Sequence, residues 1–326
     1  LSISITAPMR ELIRSKSQKN EYDAVVALTD ASGNEITLDA KISARGNARL
    51  SSCDFPPIRL EFDRDQVVGT VFAGQKRLKM VTHCQRGFGG ERWVRQEYGI
   101  YRAYNIVTEY SFQARMLDVT YRDTESERWE RDAPAFFIEA VGEMADRLGR
   151  DSIRPPEVRT EQFHLEETTH HLLFQYLIAN TDFSITRGSS GEGCCHNARV
   201  ITEPGHQDGW MVIPYDFDQA GIINTDYARP DRRLGIRRVT SRLYRGFCWQ
   251  NDALPAAIER FNERRGAITT ALMPAELSSS RQKQVRRYID RFYATINDPE
   301  ELREELIAKC RGGVTFAIRK TRTAGQ

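Results

Sequence analysis

Three short groups in the second half of the chain carry the residue types that do chemistry. They are Asn180-Thr181-Asp182, then Cys195-His196-Asn197, then Ile213-Pro214-Tyr215-Asp216-Phe217-Asp218. Carboxylate, carboxamide and carboxylate in that order are what phosphoryl transfer from a nucleotide uses: one acid near the attacking hydroxyl, plus an Asn and an Asp holding metal on the phosphates. The Asn197 amide oxygen is a suitable hard ligand for Mg²⁺. Asp216 ends the apolar run 210–215 and would project into a cleft as the main metal ligand. Asp218 points the same way if the strand continues, which makes it the candidate second ligand; two acids this close repel unless a cation lies between them. Turn and cap roles are the structural alternatives: an Asx turn for Asp182, a turn before Gly221 for Asp216.

Such groups need elements to position them. The first 140 residues read mainly as strands. Ala24–Leu28 and Ile36–Ala44 alternate with period two around the hairpin turn Asp30-Ala31-Ser32-Gly33-Asn34. Strands follow at Pro57–Phe62, Arg77–Val81, Phe112–Tyr121 and Ala135–Glu139, with a turn at Gly69–Gly74. Leu1–Ile5 also alternates like a strand, without a signal peptide's basic start and long apolar core. Between the strands, Trp93, Ile100, Tyr104 and Val107 recur at helical spacing over 91–107, with Glu97 and Tyr101 beside them.

After Glu139 the pattern turns helical. A short helix over Ala140–Leu148 precedes the break at Pro155-Pro156. His164–Ala179 predicts a strong helix with Leu165, Thr168, Leu172, Tyr176 and Ala179 facing inward. Late helices cover Ala253–Arg265, Ser279–Ile296 and Pro299–Cys310, the last opened by Asp298 as cap with Glu301 three residues on. The expectation is an α+β chain with a bilobal protein-kinase-like fold: a β-rich N-terminal lobe over 1–139 and a mainly helical C-terminal lobe over 140–326 carrying the catalytic and metal-binding loops.

Arginine outnumbers lysine 39 to 8, so a lysine within an apolar strand stands out. Lys79 alternates with Leu78, Met80 and Val81; its ammonium would reach the α/β-phosphates and pair with Glu97 on the following helix. Lys76 competes for that role, a snorkelling turn lysine is the plain alternative, and Glu97 reads equally well as an exposed helix residue. Arg45, Asn47 and Arg59 are further candidates for phosphate contact. No Walker-type glycine loop occurs.

Three blocks covering about half the chain resemble the CotH kinase family, atypical kinases named after a spore-coat protein. They are Arg45-Gly46-Asn47 with the strand Pro57–Phe62; Lys76-Arg77-Leu78-Lys79-Met80 leading to a helix with an acid in it; and Asn180-Thr181-Asp182, Asn197 and Pro214-Tyr215-Asp216-Phe217-Asp218. The resemblance implies ATP and Mg²⁺ (or Mn²⁺) as cofactors. It also implies Ser or Thr of a protein substrate as acceptor, and Asp182 as the carboxylate that orients or deprotonates the hydroxyl. One departure stands out: fifteen residues separate Asp182 from Asn197, more than the family's spacing. The stretch Thr186–Gly193 reads as an inserted loop, tolerable because closure entropy grows slowly with length. Competing expectations keep the fold but change the chemistry, to AMP transfer or carboxylate activation, or make the chain a non-catalytic pseudokinase or envelope binding module. A hydrolase built on Asp216 and Asp218 ranks last, since two acids on one strand suit glycoside cleavage poorly.

Composition bounds the rest. Charged residues at 28% and hydrophobic ones at 40% describe a globular chain, and no apolar run is long enough to span a membrane. A net charge of +2 gives nucleic-acid binding no support. Six cysteines lack the spacing of a zinc site. Cys53 and Cys84 flank two predicted strands and could bridge them; adjacent Cys194 and Cys195 seldom pair with each other, but either could reach Cys248 or Cys310. Paired cysteines imply an extracytoplasmic compartment, periplasmic or secreted; free thiols imply the cytoplasm. Tyr227–Pro230 and Arg242–Gly246 could line an acceptor site suited to an acidic or phosphorylated substrate, or simply be solvated surface.

Overall fold

The computed structural model describes residues 1–312, apart from Ala31, Arg86, Gly87, Glu157, residues 189–192 and the side chain of Phe88. The chain is α+β. Seven strands, β1 (Ser2–Ala7), β2 (Glu21–Thr29), β3 (Glu35–Ala44), β4 (Ile58–Phe62), β5 (Arg77–Val81), β6 (Ala114–Asp123) and β7 (Ser126–Ile138), close into a barrel in the order β1-β2-β3-β4-β5-β7-β6. Sequence periodicity predicts most of these strands but not the closure. That comes from β1 pairing in parallel with β6, Ser2 opposite Asp118 through Ala7 opposite Asp123. Closing a sheet leaves no edge to aggregate.

Alternation fills the barrel. Ile5, Val26, Ile42, Leu60, Met80 and Leu117 are buried within it, while the intervening residues face outward. On β4 and β5 the outward residues form two cross-strand pairs, Arg59 with Lys79 and Glu61 with Arg77. Two short helices flank the barrel, α1 (Met9–Arg14) and α2 (Ala48–Ser52).

The long helix α3 (Phe88–Val107) joins β5 to β6. Its Trp93, Ile100, Tyr104 and Val107 do face inward, but they belong to the core of the later helices rather than to the barrel. A boundary at residue 139 therefore cuts through a shared core. That second core gathers α4 (Val141–Arg147), α5 (Leu165–Ile178), α6 (Leu254–Glu263), α7 (Arg265–Leu272) and α8 (Ser279–Asn297). It also contains a three-stranded antiparallel sheet of β8 (Asp151–Ile153), β9 (Ala198–Thr202) and β10 (Met211–Pro214), in the order β10-β9-β8. The expected one-sided α5 is instead buried all round from Thr168 to Ile178, while Leu165 is exposed. A helix apolar on every side lies inside a core, with no single inner face. After α8, Asp298 caps α9 (Pro299–Leu302) as expected, its carboxylate accepting from the backbone N–H groups of Glu300 and Glu301.

Cys53 bonds to Cys84, as the flanking strands suggest, and all six cysteines are paired. The other pairing differs from expectation: Cys194 bonds to its neighbour Cys195, and Cys248 to Cys310. No helix among the described residues is long and apolar enough to cross a membrane.

Candidate active site

The β9–β10 hairpin positions two of the three chemical groups. Antiparallel pairing sets Ala198 opposite Pro214, so the residue before β9 and those after β10 meet. Asn197 and Tyr215 are joined there by a Tyr215 N–H to Asn197 carbonyl hydrogen bond of 3.2 Å. Asn197 and Asp216 both adopt left-handed backbone, with φ of 48° and 62°. Asn and Asp tolerate that region best among residues with a side chain, and such strain collects at functional sites. The turn at Asp216 ends the strand's alternation.

The third group enters from α5, which stops at Ala179 with φ of 49°. The Asn180 side chain then accepts from the Asp182 N–H at 3.0 Å. This is an Asx turn, the structural alternative for this stretch, and here it serves to aim Asp182. The fifteen-residue excursion to Asn197 is closed by a bridge in which Ser184 and His196 exchange two 3.0 Å backbone hydrogen bonds. Part of the inserted loop, residues 189–192, lies outside the described residues. Across the bridge, Asn197 Nδ2 donates to the Asp182 carbonyl at 2.7 Å and to its Oδ2 at 3.0 Å. His196 Nε2 lies 3.1 Å from Asp182 Oδ1, a contact that raises the His196 pKa against the opposing effect of burial. With Nδ2 so engaged, Asn197 Oδ1 has no bonded donor among the described residues.

Asp182, Asn197 and Asp216 line one side of a cavity of about 440 Å³; Arg45, Arg59 and Lys79 line the other. All six were expected at a site, and one cleft collects them. Of the two candidate lysines, Lys79 lines it, while Lys76 is exposed and does not. Burial, with Arg45, Arg199 and Arg59 nearby, lowers the Lys79 pKa to about 8, against the pull of Asp216. A larger groove of about 650 Å³ along β1 and β6 holds none of these residues.

Two expected partnerships are not formed. Glu97 does not pair with Lys79, and Asp218, though it lines the same cavity as Asp216, is not free to serve as a second ligand there. Both turn to Arg49 of α2. Arg49 Nη2 is 2.6 Å from Glu97 Oε2, and its Nε is 2.8 Å from Asp218 Oδ2. The Tyr227 hydroxyl donates to the same Asp218 oxygen at 3.1 Å. The reason is local: the left-handed turn at Asp216 reverses the chain, so the next acid faces inward. The Cys53–Cys84 disulfide meanwhile ties the end of α2 to the segment leading into α3. The Arg49, Glu97 and Asp218 side chains are no more than 10% exposed, whereas Asp216 is 44% exposed and only 3.8 Å from Arg49.

This buried cluster carries more negative than positive charge. Burial, with Asp218 and Asp216 nearby, pushes the Glu97 pKa up to about 7, against Arg49. Loss of water and the nearby Asp218 likewise raise that of Asp216, opposed by Arg49 and Arg45. A cation beside Asp216 would relieve the imbalance. Among the described residues no three His, Cys, Asp or Glu side chains form a ready-made metal cage. A carboxylate with a carboxamide oxygen suits a Mg²⁺ ion that keeps waters and phosphate oxygens as its other ligands.

The proposed acceptor-lining residues have other duties. Arg242 donates to the carbonyls of Tyr176, Leu177 and Tyr288. Arg245 donates to the carbonyls of Thr181 and Phe183 at 2.8 and 2.6 Å, clamping the backbone on both sides of Asp182. Tyr227 packs edge-on against Trp93. These residues satisfy backbone carbonyls or fill the interior. Sequence reading missed Arg49, whose only signal was its place four residues after Arg45. It also missed Arg199, which alternation along β9 would turn out of the sheet. No protein-family model matches the chain, and no curated protein matches it.

Proposed function

We propose that this chain is an ATP- and Mg²⁺-dependent phosphotransferase with a bilobal kinase-like fold, acting on Ser or Thr of a protein substrate. One observation carries the reading: a single cleft sets Asp182, Asn197 and Asp216 against Lys79, Arg45 and Arg59. The resemblance to CotH kinases in the order of these residues supports it, as does the alternation of barrel and helical core along the chain. Three disulfides favour an extracytoplasmic setting.

Asp216 and Asn197 Oδ1 would hold the metal, which when bound neutralises charge on the phosphates. Lys79, Arg45 and Arg59 orient the phosphate chain from the barrel side. Asp182, fixed by Asn180, Asn197 and Arg245, accepts the proton of the incoming hydroxyl or aligns it. Such catalysis is mostly positioning and charge stabilisation, so a few rigidly held polar groups are enough. A second reading, nucleotide binding without transfer, draws on one observation: Glu97 is committed to Arg49, and Lys79 forms no salt bridge among the described residues.

Melting temperature with and without Mg·ATP, combined with γ-phosphate transfer to the chain itself or to a mixed peptide library, tests both. Saturation at a hundredfold the dissociation constant stabilises by about 2.7 kcal/mol. The expected result is a metal-dependent shift lost in Asp216→Ala, with transfer lost in Asp182→Ala while the shift remains. A shift without transfer selects the second reading. No shift with any nucleotide, in Mg²⁺ or Mn²⁺, overturns both.

A further inference from the structure

Arg45, Arg59, Lys79 and Arg199 all line the cleft. Arg59 and Lys79 are direct cross-strand partners on the outer face of β4 and β5. Like charges set opposite one another weaken a sheet. Arg45 follows the end of β3, which runs antiparallel to β4, and lines the same cavity. From the opposite side comes Arg199 of β9, its guanidinium 4.2 Å above the Tyr215 ring and its Nη2 2.6 Å from the Tyr215 hydroxyl. Those contacts fix the direction of its charge without neutralising it. Among the described residues none of Arg45, Arg59, Lys79 and Arg199 forms a salt bridge. Four positive charges carried by two separate sheets line one space, and such an arrangement is complementary to a chain of phosphates.

The part of the cleft that would receive a base is much less developed. Its apolar lining on the barrel side is Pro57, Val81 and Ile138. The backbone just beyond Ile138, where β7 gives way to α4, is already engaged: the Glu139 N–H donates to the Gln113 carbonyl at 3.0 Å. The Glu139 side chain is held by Arg147 and by the Gln113 N–H. Only Ala140 lies between Glu139 and the first residue of α4.

We propose that the cleft selects its phosphate donor by the triphosphate, with Arg199 as a phosphate ligand alongside Lys79, Arg45 and Arg59, and discriminates little between bases. This deepens the phosphotransferase reading and rests on it. The test is calorimetric titration of the whole chain, with Mg²⁺, against ATP, GTP, CTP and inorganic tripolyphosphate, for wild type, Arg199→Met and Arg59→Met.

The expected result is four dissociation constants within about tenfold of one another, each raised about fivefold or more by either substitution. ATP binding more than about tenfold tighter than all three other probes would overturn the inference and leave the phosphotransferase reading intact. Failure of all four probes to bind in Mg²⁺ or Mn²⁺ would overturn both. Wild-type affinity retained by Arg199→Met, with its fold verified by circular dichroism, would remove Arg199 from the site and overturn the proposal. Unchanged affinity for all four probes in Asp216→Asn would mean nonspecific polyanion adsorption, and the proposal fails on that outcome too.

Discussion

Replacing Arg49 by Met is the sharpest test of the buried cluster. Arg49 holds Glu97 and Asp218 at 2.6 and 2.8 Å, with all three side chains at most 10% exposed. Removing one partner of a buried ion pair costs about 3–5 kcal/mol, because the charge left behind has neither water nor a counter-ion. Glu97 offers an escape, since its pKa already stands near 7 with Arg49 present and rises further without it. A carboxyl whose folded pKa lies above its unfolded value binds an extra proton in the folded state. Its burial therefore destabilises increasingly as pH climbs from the unfolded pKa towards the folded one, by up to about 1.4 kcal/mol per pH unit. In wild type that window spans roughly pH 4.5 to 7. In Arg49→Met it extends above 7. Urea unfolding at pH 5.5 and pH 8 reads the difference: Arg49→Met should lose about 3–5 kcal/mol at pH 8 and clearly less at pH 5.5. Adding Glu97→Gln should restore part of the loss at pH 8 and little at pH 5.5. A loss below about 1 kcal/mol that is the same at both pH values, the behaviour of a surface pair, would refute the reasoning.

Other consequences follow from the same geometry. Asp216→Asn should abolish metal-dependent nucleotide binding with little change in apo stability, whereas Asp218→Asn should lower apo stability and leave the metal requirement in place; melting curves with and without Mg·ATP separate the two. Lys79 has a folded pKa near 8, below its ordinary 10.5, so the unfolded chain binds the extra proton between those values and stability should rise with pH across that window. Lys79→Met should flatten that rise in urea titrations and weaken triphosphate binding; an unchanged slope would mean the lysine is not desolvated. Opening the Cys248–Cys310 bridge with Cys310→Ser releases a 62-residue separation, an entropic loss of about 4 kcal/mol at most. Because Arg311, beside Cys310, donates to the Arg245 carbonyl, and Arg245 clamps the Asp182 loop, phosphate transfer should fall more than nucleotide affinity. Equal losses in the two would argue against that link.

The placement of the candidate residues is readable because they stand at strand and helix ends, which local sequence marks. Asp182 follows a long apolar helix, and Asp216 follows an apolar strand. Alternation of Lys79 with Leu78 and Met80 identifies an outward-facing residue whatever lies opposite. Partners were not readable, because they are set by elements far apart in the chain. Glu97 lies 48 residues from Arg49, and Asp218 lies 169 away. Barrel closure has the same character: parallel pairing of Ser2 with Asp118 leaves no trace in either strand's periodicity. The burial of α5 on all sides is hidden for a different reason, since its Thr and His residues read as polar. His171 satisfies itself by a 2.8 Å contact with the Val212 carbonyl, which only the fold supplies.

The exchange of Lys79 for Arg49 as the partner of Glu97 has a physical logic. A lysine held by a buried glutamate could contribute only part of its charge to a phosphate. Here the guanidinium, with several donors in a fixed fork, serves Glu97 and Asp218 at once and stays buried. The ammonium is left in the cleft with Arg45, Arg59 and Arg199, where burial first and those arginines second lower its pKa. A polyanion bound there would remove the arginines' repulsion, and part of its affinity would be relief of a cost already present in the free chain. On this argument the free chain gains stability when Lys79 is replaced by Met, and the same substitution weakens ligand binding. A site shaped by folding requirements alone would show the opposite sign in the first measurement.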